Sequence, residues 1–156
     1  MKEGVIITKE KALTRLMKLC SEYEKCKSDV AQKMMLWEIP DDDASRIIER
    51  LELDNFINEE RYALAFTKDK IRFNKWGRNK VRYQLGAKRI SEVNISTALS
   101  NYDEEEYLAM VRKEIILKTR KVSANSDWER RGKVMQFSQT RGYESDIVMT
   151  ILDDLL

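Results

Sequence analysis

Apolar residues recur along this chain with two nested periods. Within segments they stand three and four positions apart, the spacing of one helix face. Across the chain the same set returns after about fifty residues, as three copies aligned on Ile39, Ile90 and Tyr143, which are 51 and 53 residues apart. Nine residues before each anchor stands a valine: Val30, Val81 and Val134. Five before stand Met34 and Leu85, while in the third copy the apolar position shifts to Phe137. Five after come Ala44, Ile95 and Val148; eight and nine after come Ile47–Ile48, Ala98–Leu99 and Ile151–Leu152. The first two copies also share Ala12–Leu13 and Ala63–Leu64, each 18 residues before its valine. A break at each anchor between two helical faces makes every copy helix, helix, helix.

The predicted helices are 8–25, 28–37, 41–53, 58–74, 77–86, 91–100, 104–121, 126–140 and 144–155, with residues 3–7 as the only candidate extended segment. Local chemistry agrees. Pro40 suits a first helical turn, with Asp41 to Asp43 favoured there by the helix dipole. Ser91 is a candidate N-cap, Ser126 with Glu129 forms a capping-box pattern, and Gly77, Gly86, Gly132 and Gly142 fall mostly near predicted helix ends. The expected fold is all-α: three tandem three-helix repeats, 1–54, 55–102 and 103–156, forming an elongated, curved chain.

Composition narrows the chemistry. The 156 residues suit one domain's worth of chain, yet 36% are charged and only 42% hydrophobic, which favours an elongated body over a sphere. One proline and five glycines are too few for a turn-rich all-β fold. No histidine occurs, which removes the commonest general base, the usual triads and most zinc sites. Asp41, Asp42 and Asp43 splay around a helix and do not converge on a metal, and no phosphate-binding glycine loop is present. No catalytic, cofactor-binding or metal-ligating residue is assigned, and no enzyme activity is expected. Cys20 and Cys26 read as reduced thiols in a cytoplasmic protein; neither a signal peptide nor a membrane span is evident.

The net charge of +2 hides a segregation. Glu38 to Glu60 carry nine acids against Arg46 and Arg50; Lys68 to Arg89 carry nine bases against Asp69 alone. Arg112 to Lys133 add eight bases and three acids. Arg78 and Arg82, four apart, share a helix face, with Lys75, Lys80, Lys88 and Arg89 around them. Trp76 is either an aromatic contact or a wedge between repeats. Such a surface suits phosphates, and it equally suits an acidic protein groove. The six bases are the candidate partner residues.

The segment Asn55-Phe56-Ile57-Asn58-Glu59-Glu60-Arg61-Tyr62-Ala63-Leu64-Ala65-Phe66 resembles the "aromatic-hydrophobic-Asp/Asn-acid-x-Arg-aromatic-Ala-x-x-Phe" pattern of RecX, the bacterial regulator of the RecA recombinase. Lys75-Trp76-Gly77-Arg78, then Val81, Leu85, Lys88-Arg89-Ile90, Ile95 and Leu99, is similar to that pattern's continuation. The resemblance implies an all-α chain of tandem three-helix repeats that binds in the groove of the RecA–DNA filament. It further implies a negative regulator that limits filament growth, ATP hydrolysis and strand exchange, acting as a monomer without cofactor. A stand-alone helical-repeat protein binding single- or double-stranded DNA is the alternative. The family often has glycine just before the anchor; here Glu38 and Arg89 stand there, with Gly142 only in the third copy. Arg61 reads first as a partner of acids within its own repeat, such as Glu59.

Overall fold

The computed structural model describes residues 7–156, and among them nine helices and no strand form. They are α1 (Lys9–Glu22), α2 (Lys27–Leu36), α3 (Asp41–Leu53), α4 (Glu59–Asn74), α5 (Arg78–Ala87), α6 (Glu92–Asn101), α7 (Glu104–Lys121), α8 (Asp127–Arg141) and α9 (Ser145–Leu155). Each predicted helix is present, most within a residue or two; α1 ends earlier, at Glu22. Most of the candidate strand at 3–7 lies outside the described residues. Ile7 alone is described, buried and in no element.

The helices start where side chains satisfy free N–H groups. Thr8, Asn58, Ser91, Asp103 and Ser126 each accept a backbone hydrogen bond from the first turn of the helix that follows. Pro40 is itself the cap of α3, ahead of Asp41. In α7, Glu104 to Glu106 open the helix and Lys118, Arg120 and Lys121 close it, both favourable to its dipole. Gly132 departs from expectation: it lies inside α8, exposed, with open space where a Cβ would stand.

Each trio closes on the repeated positions. Val30, Val81 and Val134 are buried, as are Ile39, Ile90 and Tyr143. Within trios, α1 packs on α3, α4 on α6 and α7 on α9; α5 and α8 pack against both of their neighbours, and α2 against α3. The third copy keeps its register, contrary to the expected shift to Phe137. Ser138 itself fills the place of Met34 and Leu85, 1% exposed, and its hydroxyl donates to the Val134 carbonyl at 2.8 Å. The larger Tyr143 ring follows this smaller residue, with Phe137 edge-on to it at 6.4 Å.

One turn geometry ends all three middle helices. Glu38, Arg89 and Gly142 have φ of 56°, 62° and 88°, in the left-handed region. Behind each, the anchor N–H returns to the carbonyl five residues earlier: Ile39 to Met34, Ile90 to Leu85, Tyr143 to Ser138, at 3.0, 3.1 and 2.9 Å. The turn therefore forms without glycine at Glu38 and Arg89, at a conformational cost. Left-handed backbone costs a non-glycine residue about 1–2 kcal/mol, of which glycine's extra unfolded freedom returns roughly half. Glu38→Gly is expected to stabilise the chain by about 0.5–1 kcal/mol. Thermal melts check this; a lower melting temperature would contradict it.

Apolar burial divides unevenly. One cluster holds Ile7, Leu16, Val30, Met34, Ile39 and Leu51 of the first trio. A second runs through both later trios and includes Cys26 from the first. The accessible surface, 10349 Å², exceeds the about 8,200 Å² of a compact 18.4 kDa monomer. The repeats are strung out in an elongated array.

Candidate partner-binding surface

The basic segment lies where one trio docks on the next, and the docking is backbone to backbone. The Gly77 N–H donates to the Arg141 carbonyl at 2.7 Å and Asn79 N–H to the Gly142 carbonyl at 3.0 Å. The Arg78 N–H donates to the Tyr107 hydroxyl at 3.1 Å, and the Tyr143 hydroxyl donates to the Lys75 carbonyl at 2.7 Å. The third trio thus satisfies the free N-terminal N–H groups of α5. A Cβ on Gly77 would fall on the Gly142 carbonyl, so glycine is required here by close approach and not by φ, which is −84°. Arg78 locks the joint. Its guanidinium lies 3.9 Å from the Tyr107 ring centre and pairs with Glu104 and, at 2.9 Å, with Glu144. Tyr107 is fully buried and donates to Glu144; burial pushes its hydroxyl far above the ordinary range, so it stays protonated.

The first junction has the same plan with weaker parts. Lys27, equivalent in the repeat to Arg78, donates its N–H to Glu59 at 3.1 Å, as Arg78 engages Glu104. Tyr62 stands four residues into α4 as Tyr107 does in α7, and it shares a core with Cys26, which occupies Gly77's place. The remaining links are ion pairs: Arg61 to Glu24 at 2.5 Å and Lys88 to Asp29 at 2.6 Å. Arg61 therefore reaches across the junction to an acid before α2, not to one within its own repeat. Cys20 and Cys26 are free, buried, and in different cores.

Asp29 makes the first junction sensitive to acid. Burial raises its pKa, but the Lys88 ammonium and the Cys26 N–H outweigh it and hold the carboxyl below the usual range. A lowered folded pKa means stabilisation complete above the ordinary Asp value, about 4, and lost as pH falls through the lower folded value. The protection of amides over 24–30, taken relative to the intrinsic exchange rate at each pH, is expected to fall below about pH 4. Asp29→Asn should flatten that limb while raising exchange at neutral pH; an unchanged limb would rule Asp29 out as its source.

The six bases singled out from sequence divide by whether an acid pairs with them. Arg78 and Lys88 are committed to Glu104, Glu144 and Asp29 at the two junctions, and Arg82 pairs with Glu92. Lys75, Lys80 and Arg89 make no ion pair among the described residues; the Lys75 ammonium donates to the Arg72 carbonyl at 2.6 Å. Lys80 lies 4.6 Å from the centre of the Trp76 ring. It is two residues from both Arg78 and Arg82, so it leaves α5 in a different direction from their shared face. Trp76 is half-buried against the second core, edge-on to Phe66. A cleft of 650 Å³ opens on the arginine side, but Glu104 and Glu144, which line it, already pair with Arg78, and Arg82 pairs with Glu92.

Three cations lay outside the sequence reading. Lys70 lies 5.1 Å from the Trp76 ring centre and 5.5 Å from Phe66. Lys118 and Arg141 lie 5.0 and 4.8 Å from the Phe137 ring centre. None makes an ion pair among the described residues, and the Arg141 Nη1 is buried without a hydrogen-bond partner. A signal for two of them was present: Phe66–Lys70 and Phe137–Arg141 each place a cation four residues after an aromatic on one helix. No cluster of metal-ligating side chains and no helix long and apolar enough to cross a membrane occurs among the described residues.

The family profile described as "RecX, second three-helix domain" matches residues 58–99, the span from the cap of α4 through most of α6. The regulatory protein RecX of Clostridium perfringens (strain SM101) is 30% identical over 130 residues, covering 82% of this chain and 60% of its own. That of Chlorobium phaeobacteroides (strain BS1) is 27% identical over 148 residues, 94% of either chain. The chain belongs to the RecX family. The crystal structure of RecX from Lactobacillus salivarius is similar with a TM-score of 0.81 at 22% identity, over 94% of this chain and 96% of that one; it shares the fold. The chain spans 54–60% of the length of some RecX relatives that it matches. The profile-matched trio is also the one that carries both junction tyrosine Tyr62 and the basic run from Lys68 to Arg89.

Proposed function

We propose that this RecX-family chain is a cytoplasmic negative regulator of the RecA recombinase and not an enzyme. It binds as a monomer in the groove of the RecA–DNA filament and limits filament growth, ATP hydrolysis and strand exchange. The observation that carries the reading is family membership over nearly the whole chain, whose relatives are named regulatory proteins. Physical support comes from the architecture. An elongated array of three units, 1–54, 55–102 and 103–156, suits a long repeating partner better than a small ligand. Contacts are drawn from Lys75, Arg78, Lys80, Arg82, Lys88 and Arg89. Of these, Lys75, Lys80 and Arg89 offer free charge, while Arg78 and Lys88 hold the units in register and Arg82 pairs with Glu92 inside its own unit.

The test is ATP hydrolysis by RecA on single-stranded DNA during titration with this protein, with affinity for bare DNA measured in parallel. Inhibition is expected well below the concentration that coats bare DNA. No inhibition, or inhibition only once the DNA is saturated, would favour the stand-alone nucleic-acid-binding reading.

A further inference from the structure

We infer that the array moves as two bodies: the second and third trios form one, and the first trio turns on them about a hinge latched by ion pairs. The inference rests on the geometry of the junctions and holds whether or not the chain meets RecA. The difference between the junctions begins in the sequence. Aligned on the repeat, Cys26, Lys27 and Ser28 stand where Gly77, Arg78 and Asn79 stand one copy later, and Lys88 and Arg89 stand for Arg141 and Gly142. At the second junction the missing side chain of Gly77 lets main chain meet main chain, through the bonds from Gly77 to Arg141 and from Asn79 to Gly142. Cys26 carries the Cβ that such an approach excludes.

The first junction differs from the second in three ways. Apart from the turn that continues the chain, no main-chain hydrogen bond joins residues 7–54 to 58–102 among the described residues. The Cys26 N–H turns to Asp29 of its own trio at 3.3 Å, and Asp29 takes the Lys88 ammonium at 2.6 Å, so a carboxylate stands between the two backbones. The other links are Arg61 to Glu24 and Lys27 to Glu59. Second, a cleft of 540 Å³, lined by Ser28, Gln32, Met35, Ile48, Lys88 and Arg89, opens between positions whose equivalents touch at the second junction. Third, the shared apolar core runs through the second and third trios and takes only Cys26 from the first, whose own core is closed by Ile57 of the connecting turn.

These differences set what opening costs. Parting the second and third trios breaks main-chain bonds and splits a common core. Parting the first from the second uncovers little beyond Cys26 and Tyr62, and it exchanges partly exposed ion pairs for water. The closed first junction also carries a cost of its own: the Glu24 Oε2 is buried without a partner, and opening lets water reach it. The first trio therefore swings as a unit while Leu16, Met34 and Leu51 stay packed in its own core. A docking chain presents a rigid pair of trios that sets the register and a first trio that adjusts to the surface it meets.

The experiment follows alkylation of the Cys26 thiol by iodoacetamide in the full native chain at low urea concentrations, quantified apart from Cys20 by mass spectrometry. Amide exchange at Gly77, Leu16 and Leu51 is read by NMR under the same conditions. Cys26 is fully buried, so it reacts only when the junction opens. Its rate, relative to a free cysteine peptide, is expected to be nearly independent of urea, because little surface is uncovered. Its protection should be at least about a hundredfold lower than that of the Gly77 and Leu51 amides, whose exchange rises steeply with urea. Raising salt from about 0.05 to 0.5 M should speed alkylation several-fold. Lys88→Gln should speed it about tenfold. Arg112→Gln, which removes an equal charge from another ion pair, should leave it unchanged. Alkylation as steep in urea as Gly77 exchange would make the array one rigid body and overturn the proposal. Opening of the Leu16 and Leu51 amides together with Cys26 would also overturn it, since the event would then be unfolding of the first trio. A rate indifferent to both salt and Lys88→Gln would remove the latch.

Discussion

Gly77→Ala is expected to destabilise the chain by about 3–5 kcal/mol, an unusually large effect for one added methyl group. The backbone at Gly77, φ −84° and ψ 168°, is open to any residue, so alanine would ordinarily stabilise it slightly by restricting the unfolded chain. The added Cβ instead meets the carbonyl of Gly142 and the N of Tyr143, which are main-chain atoms that cannot rotate away. Relief requires the two trios to separate. That breaks the contacts from Gly77 to Arg141, Asn79 to Gly142, Arg78 to Tyr107 and Tyr143 to Lys75. Four such bonds at about 1 kcal/mol each account for the figure. The melting temperature should drop by roughly 10 °C, at 2–4 °C per kcal/mol for a chain of this size. A neutral or stabilising Gly77→Ala would mean that the trios do not approach this closely in solution.

Tyr107→Ala is the second large effect, about 3–5 kcal/mol. The side chain is fully buried, its ring lies 3.9 Å from the Arg78 guanidinium, and its hydroxyl accepts from Arg78 N–H while donating to Glu144. Truncation opens a cavity and strips partners from two polar groups. Tyr107→Phe keeps the ring and should cost only about 1–3 kcal/mol, through the hydroxyl's unmatched partners. A double-mutant cycle with Arg78→Ala should return a coupling of about 0.5–3 kcal/mol, measured by denaturant unfolding. Additive losses would mean that the stacking and the shared Glu144 contribute nothing.

Much of the fold was legible because the signals are local. Helix faces repeat at three and four residues, caps such as Ser91 and Ser126 mark starts, and the fifty-residue recurrence placed Val81 and Ile90 inside before any packing was known. The turn at each anchor was half-legible. Gly142 announces a left-handed residue, but Glu38 and Arg89 adopt the same φ because the buried anchors Ile39 and Ile90 hold the chain there. Ser138 was misleading because a polar residue at the repeated apolar position moved the expected buried site to Phe137, whereas its hydroxyl is satisfied by the Val134 carbonyl.

The candidate site was less legible, because charge compensation is long-range. Arg78 meets an acid 66 residues away and Lys88 one 59 residues away, so the local excess of bases says nothing about which remain free. The run from Lys68 to Arg89 is basic in sequence, but only part of that charge is unspent in the fold. Aromatic–cation spacing, as in Phe137–Arg141, is local and carried information that counting charges did not.

The most direct test of the account compares RecA inhibition by two triple variants of equal net charge. One is Lys75→Gln, Lys80→Gln and Arg89→Gln, which removes free cations from the proposed surface. The other is Arg50→Gln, Arg112→Gln and Arg131→Gln, which removes paired bases elsewhere. The account predicts that the wild-type chain and the second variant suppress RecA's ATP hydrolysis on single-stranded DNA alike, while the first needs at least about ten times more protein, the equivalent of about 1.4 kcal/mol. Full inhibition by the first variant at wild-type concentrations would contradict it.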